Sequence, residues 1–303
     1  MCACGTLHAD VLPLNDALRA TYTACISIDE NLADLKKMAG INTAITAVGS
    51  ATGAGATVVG IIKHAKDVKA EELEKMLREI DEMNKTHGKE LTEQEYTTFL
   101  SLFNESYNTQ LKDTKTVQEE LDKTVEQSKK LGNWRTGLIA TSAATNVAGA
   151  VIAGTNKVDK DLNAQILACR AAVETLRNSI MQARISGQDI TEANAIADAC
   201  GEYEYADISK INIRATGAMI SSAVGAATGV IGTGLSAGAN STKIRDDNTD
   251  AGKKTEKGMN TAANVMSGVT TAASVSATVF NATQIKAIKQ VAEIATKCTE
   301  VLK

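Results

Sequence analysis

Proline is almost absent from this chain of 303 residues, with Pro13 its sole example. Proline ends helices because it lacks an N–H and clashes with the preceding turn, so nothing of that kind interrupts the chain beyond residue 13. Aromatic residues are nearly as scarce, at 3%. With few aromatics to supply cross-strand pairs and abundant Ala, Thr, Lys and Glu, an all-β fold has little support and an all-α fold is expected.

A block of like charge is also missing. The formal net charge is only -4, with acids and bases interspersed, so no basic face marks a nucleic-acid partner. Six cysteines, at positions 2, 4, 25, 169, 200 and 298, are few and scattered for a disulfide framework in a chain this long. Cys25 and Cys169 fall on apolar helical stripes, where buried thiols are the expected reading. A bond from Cys169 to Cys200 across a turn near Gly187 is out of register by about 7 Å at 1.5 Å per residue. The N-terminal stretch MCACGTLHADVLPLNDAL carries neither the basic nor the apolar region of a secretory signal. The expectation is a cytoplasmic protein, or an exported one whose leader has been removed.

Catalytic and ligand motifs are absent too. Gly53-Ala54-Gly55 and Gly232-Thr233-Gly234 lack the strand and the remaining glycine of a dinucleotide turn, and Gly252-Lys253-Lys254-Thr255 lacks the P-loop order. Asp246, Asn248 and Asp250 have the spacing of a calcium loop, but its closing acid is replaced by Lys257. His8, His64 and His87 have no partners at zinc spacing; Cys2 and Cys4 with His8 offer adventitious metal ligands, but terminal disorder is the expected reading there. No nucleophile elbow is present. The expectation is no catalytic residue, no cofactor, no metal site and no small-molecule substrate.

What the chain does have is four uncharged windows, Met38 to Ile62, the charge-free part of Lys129 to Lys157, Ala215 to Thr242, and Gly258 to Ile285. The first two align without a gap. Lys36-Lys37 falls on Lys129-Lys130, Ala47 on Ala140, Thr52 on Thr145, and Val58-Val59 on Val151-Ile152. The others open similarly, so the reading is one ancestral unit used four times. Small residues recur at every fourth place, at Gly137, Thr141, Thr145, Gly149 and Ala153, and again at Gly217, Ser221, Gly225, Gly229, Thr233 and Ala237. Such ladders let helices approach closely, like a glycine zipper. Trp134 opens the second window, where it reads either as an interfacial anchor or as a core residue or a cap on the end of the bundle.

Charged amphipathic helices alternate with these windows. The stripe Leu18, Tyr22, Cys25, Ile28, Leu32, Leu35 runs directly into the first window. Thr92 and Glu95 form a capping box that opens a coiled-coil-like helix over about 92–131. The stripe Leu162 to Ile180 ends at Ser186-Gly187-Gln188, and Asp189 with Glu192 caps a shorter helix.

The architecture expected is an elongated all-α helical bundle of four diverged repeats. Residues 1–158 form one repeat pair and 159–303 the second, packed as one helical unit. Each window is long enough to cross a bilayer, which needs about 20 residues. Thr, Ser and Asn nevertheless dilute the windows, Leu and Phe are scarce, and Lys or Arg closes both ends. The windows therefore read best as packing seams within or between subunits. The expected function is a non-enzymatic structural or interaction protein that assembles with itself or with another helical protein. The alternative is a membrane-active protein, of pore-former or translocator type, whose Gly/Ala hairpins insert into lipid.

Overall fold

A computed structural model describes residues 12–87, 101, 104–105, 110–111, 113–245, 247 and 249–303. Among the described residues the chain is all-α. In order come α1 (Leu14–Cys25), α2 (Ile28–His87), α3 (Thr114–Thr155), α4 (Lys160–Ile185), α5 (Thr191–Gly201), a 3₁₀ turn (Glu202–Tyr205), α6 (Ile208–Ala239), the short α7 (Thr242–Arg245) and α8 (Asp250–Leu302). The four windows fall in the four long helices α2, α3, α6 and α8.

Local chemistry explains several boundaries. Pro13 precedes α1, where its missing N–H costs nothing. The stripe expected to run unbroken from Leu18 into the first window is interrupted at Ile26-Ser27, where α1 stops and α2 begins. Two poor helix formers stand at that break, and Cys25 beside it is tied by a disulfide to Cys169. Helix α3 starts at Thr114 because Asp113 caps it. The Asp113 carboxylate accepts the Thr116 N–H at 2.8 Å while the Asp113 N–H donates to the Thr116 hydroxyl at 3.0 Å. Residues 110, 111 and 113 are not helical, so the helix expected over about 92–131 is interrupted there. Asn104 holds that bend by clamping the N–H and C=O of Leu111. The Thr92–Glu95 box and Tyr96, Phe99, Phe103 and Tyr107 lie outside the described residues. Gly187 ends the α4 region with φ +75°, a left-handed turn that glycine adopts without strain. At α5 the Asp189 carboxylate bonds the N–H and hydroxyl of Thr191, two residues on, rather than making the expected box with Glu192.

The chain divides into two compact units, each built from non-contiguous segments. The first comprises residues up to Ala47, Asn146–Ala223 and Ser274–Lys303. Its apolar core holds Leu32, Ile166, Leu176, Ile196, Tyr203, Ile211 and Ile288 around four buried cysteines. Arg170 pins the 3₁₀ turn by donating to the carbonyls of Tyr203 at 2.8 Å and Ala206 at 2.7 Å. Asp159 caps α4 through the Leu162 N–H at 2.7 Å. The second unit comprises Val48–Thr145 and Val224–Ala273. Its apolar core is smaller, with Leu73, Met76, Ile80, Leu111, Val117 and Leu121.

The cysteines correct the sequence expectation. They are buried, as expected of thiols on apolar stripes, but they are oxidised into Cys25–Cys169 and Cys200–Cys298 rather than left free. The Cα separations of 4.9 and 4.5 Å suit such bonds. Each bond links helices distant in sequence, with separations of 144 and 98 residues, which spacing along the chain does not reveal. Cys2 and Cys4, with His8, lie outside the described residues.

Candidate functional site

The windows invert the polarity of an ordinary helical core. In α2 the inward positions are Ala39, Asn42, Thr46, Gly49, Gly53, Ala56 and Gly60. In α3 they are Ile139, Ser142, Asn146, Gly149 and Ala153, in α6 Ala215, Ala218, Ser222, Gly225, Gly229, Gly232 and Ser236, and in α8 Asn260, Ala263, Ser267, Thr270, Ser274, Ala277 and Asn281. The interior is thus small and polar, with Ile139 its one large aliphatic side chain. Most of the large apolar side chains that face outward among the described residues lie in these same windows. In the first unit they are Met38, Ile41, Val147, Val151, Ile220, Val275, Val279 and Phe280, and in the second Val48, Val58, Ile61, Ile62, Val224, Val230, Ile231, Val265 and Val269.

The spacing of the inward positions differs from the every-fourth-residue ladders read in the sequence. Burial recurs in alternating steps of three and four, as at Ile139, Ser142, Asn146, Gly149 and Ala153. On a helix with 100° per residue a strict four-residue ladder drifts by about 40° per step and leaves the interface. Gly137 and Thr141 are accordingly exposed and Thr145 is half-buried, while Gly149 and Ala153 are buried. In α6 Gly225 and Gly229 are buried, Gly217, Ser221 and Thr233 are intermediate, and Ala237 is exposed.

Polar side chains join the helices inside each unit. In the first, Asn42 donates to Asn281 at 2.9 Å, and Asn281 donates on to the Thr46 hydroxyl at 3.3 Å, tying α2 to α8. Asn146 of α3 donates to Ser274 of α8 at 2.7 Å, and Gln284 donates to the Asn156 carbonyl at 2.8 Å. In the second, Ser142 donates to the Gly49 carbonyl at 2.8 Å, while Thr57–Ser267, Thr136–Ser236 and Thr228–Thr270 pair hydroxyl to hydroxyl. Glycine is required where backbones come closest. A Cβ at Gly229 would lie 2.8 Å from the Ala143 Cβ and 3.0 Å from its Cα, and one at Gly149 would lie 2.8 Å from the Thr46 methyl.

The hydroxyls on the outer face are not free. Thr52, Thr141, Thr155 and Thr261 each donate to the carbonyl four residues earlier, at 2.9 to 3.2 Å. A threonine that bonds its own helix presents its methyl group outward. The asparagines at 42, 146, 260 and 281 are all buried. The Thr and Asn content that counted against lipid contact in the sequence therefore adds little polarity to the outer surface.

The window ends depart from expectation as well. Lys63 and Arg135 point inward within the second unit, at 2% and 0% exposure, rather than outward. Lys63 pairs with Asp67 at 2.7 Å and Glu256 at 3.7 Å, Asp67 accepts from Ser128, and Arg135 donates to the side chain and carbonyl of Asn260. Burial pushes the Glu256 carboxyl above its ordinary range, with Lys63 opposing. A cavity of about 690 Å³ opens beside this cluster, lined by Lys63, Asp67, Ser128, Arg245, Glu256 and Asn260 among others. Its acids and bases are mixed, which favours no one charge of ligand. Trp134, next to the buried Arg135, is 71% exposed and is therefore not a core residue. Of the calcium-spaced residues, Asp246 and Asn248 lie outside the described residues. Comparison with known protein families, characterised proteins and solved structures finds no match for this chain.

Proposed function

We propose that the chain is a non-enzymatic, membrane-inserting helical protein whose four windows place Val and Ile against lipid and pack through small, polar seams. The inverted polarity of the windows carries this reading. In water the hydrophobic effect turns Val and Ile inward and leaves Asn and Ser outside. In hydrocarbon that force is lost, so helices associate through small residues and interhelical hydrogen bonds while aliphatic side chains face the lipid. Fully burying a Val or Ile side chain gains about 1.5–3 kcal/mol, so each half-exposed one in the windows forgoes on the order of 1 kcal/mol in water. Three of the long helical stretches carry segments apolar enough to cross a membrane, and their most apolar parts are only 28–33% buried. The alternating three-and-four spacing suits helices that supercoil in a left-handed sense, and the similar openings of the windows suit descent from one repeated unit.

The reading is tested by flotation of purified, detergent-free protein with liposomes, using Trp134 as the reporter. The expected outcome is recovery with the lipid and quenching of Trp134 fluorescence by lipids brominated near the headgroup. Recovery in the soluble fraction with unquenched Trp134 would refute it.

A second reading retains the non-enzymatic structural role, in which the outer faces pair between copies in solution. The observation favouring it is that Gly137 and Gly234 have open space where a side chain would stand. Those surfaces admit close approach by another helix. Light scattering on the lipid-free protein separates the two, since a defined oligomer indifferent to liposomes supports self-assembly.

A further inference from the structure

In the first unit, four cysteines from four helices, Cys25 of α1, Cys169 of α4, Cys200 of α5 and Cys298 of α8, meet in the apolar core, each with no exposed surface. The two disulfides are neighbours rather than separate staples. The sulfurs of Cys25, Cys169 and Cys298 all lie within 4.8 Å of one another, and the Cys200 sulfur is bonded to that of Cys298. Three sulfurs thus lie close together, and the fourth is bonded to one of them.

We propose that in the reduced protein these four side chains form a thiolate site for a thiophilic d¹⁰ cation of the Zn²⁺ class, which takes over the cross-linking of the two disulfides. Each disulfide accepts two electrons and two protons from a dithiol, which is itself oxidised to a disulfide, and four thiols result. Zn²⁺ then displaces four protons and forms four Zn–S bonds. Tetrahedral ligation at about 2.3 Å per bond sets neighbouring sulfurs about 3.8 Å apart. The separations of the Cys298 sulfur from those of Cys25 and Cys169, at most 4.8 Å, exceed that by no more than about 1 Å. The apolar core packed around all four cysteines keeps the ligands together once the disulfides open.

A second observation concerns residues close to two of these cysteines in sequence. A tetrathiolate centre carries two negative charges and is stabilised by hydrogen-bond donors around its sulfurs. The hydroxyls of Tyr203 and Thr299 are buried without a partner, and they belong to residues three and one positions after Cys200 and Cys298. They are donors that the oxidised core leaves unused. The arrangement would hold the same helices together on both sides of a redox boundary, by disulfides where the surroundings are oxidising and by metal where they are reducing. This inference is independent of the membrane reading.

The test uses the full-length protein reduced with a phosphine under inert gas and titrated with Co²⁺ and then Zn²⁺. The expected result is one Co²⁺ per chain with the intense visible bands of a tetrahedral thiolate complex, displaced by one equivalent of Zn²⁺, and recovery by Zn²⁺ of the thermal stability lost on reduction. The double variant Cys2→Ser, Cys4→Ser should keep that signal and Cys298→Ser should lose it. Because Cys298→Ser also removes a disulfide, the titration of the reduced wild type decides independently of whether that variant folds. Absence of the thiolate bands in the wild type, their loss in the Cys2/Cys4 variant, or no recovery of stability with Zn²⁺ would each overturn the proposal.

Discussion

A side chain added at Gly229 meets the backbone of Ala143 at 3.0 Å, which cannot rotate away as a flexible side chain would. Gly229→Leu should therefore force α3 and α6 apart and destabilise the fold by about 1–3 kcal/mol, the usual range for overpacking. Gly137→Ala is the matched control. Nothing lies within 4 Å of a Cβ there, so the change should be neutral or stabilising by up to about 1 kcal/mol through helix propensity. Denaturation followed by circular dichroism measures both, and equal effects would show that the seam does not depend on close approach at Gly229. Asp207 offers a residue-scale test in pH. Its carboxylate accepts from the Ser209 hydroxyl and the Lys210 N–H at the start of α6 and pairs with the Lys210 ammonium, so its pKa is lowered to about 2. A depressed folded pKa means that the group stabilises the fold above its ordinary pKa near 4 and loses that contribution as the pH falls towards 2. Asp207→Ala should lower the melting temperature at pH 7, and the difference from wild type should shrink as the pH falls from about 4 through 2.

Between elements, the Asn42–Asn281 hydrogen bond fixes how α2 lies against α8, because a buried amide tolerates few other partners. Removing one partner leaves a buried polar group unsatisfied, at a cost of about 1–3 kcal/mol, whereas replacing both avoids that penalty. Asn42→Leu and Asn281→Leu should each destabilise, and the double variant should lose less than the sum of the two. An additive result in the double-mutant cycle would mean that the pair is not coupled. The same scale shows what a ladder of small residues does and does not establish. Gly149, Ala153, Gly225 and Gly229 sit in the interface, but Gly137, Thr141 and Ala237 do not, because a four-residue repeat turns away from a partner that a 3.5-residue period keeps in view.

Across the whole molecule the disulfides are the strongest covalent constraints among the described residues. Closing loops of about 100 residues or more removes on the order of 4–5 kcal/mol of unfolded-chain freedom per bond in the chain-entropy model. Phosphine reduction in the absence of metal should therefore lower the melting temperature by several degrees or more, as read by circular dichroism, while leaving the secondary structure helical at low temperature. A reduced protein that melts with the oxidised one would show that the apolar core of the first unit needs no cross-link.

Much of the element layout was legible in the sequence because its causes are local. Scarce proline, capping residues and the glycine at 187 mark helices and one turn, and charge-free runs of small residues mark the four windows. The break at Ile26-Ser27 was not legible, since the apolar stripe continues through it, and neither was the bend before Thr114. The interface phase in each window required the neighbouring helices, because Gly137 and Gly149 are the same residue type and only packing turns one outward and the other inward. The inward turn of Lys63 and Arg135 depended likewise on partners from other segments, Glu256 and Asn260. So did the pairing of Cys25 with Cys169 and Cys200 with Cys298. By itself the sequence determined an all-helical chain with four helices that exclude charge, since helix propensity and charge patterning act within a few residues. The tertiary structure alone decided which face of each helix is buried and which cysteines meet, since those depend on contacts between segments far apart in the chain, 42 residues at Thr228–Thr270 and 144 and 98 in the disulfides, where local spacing carries no information.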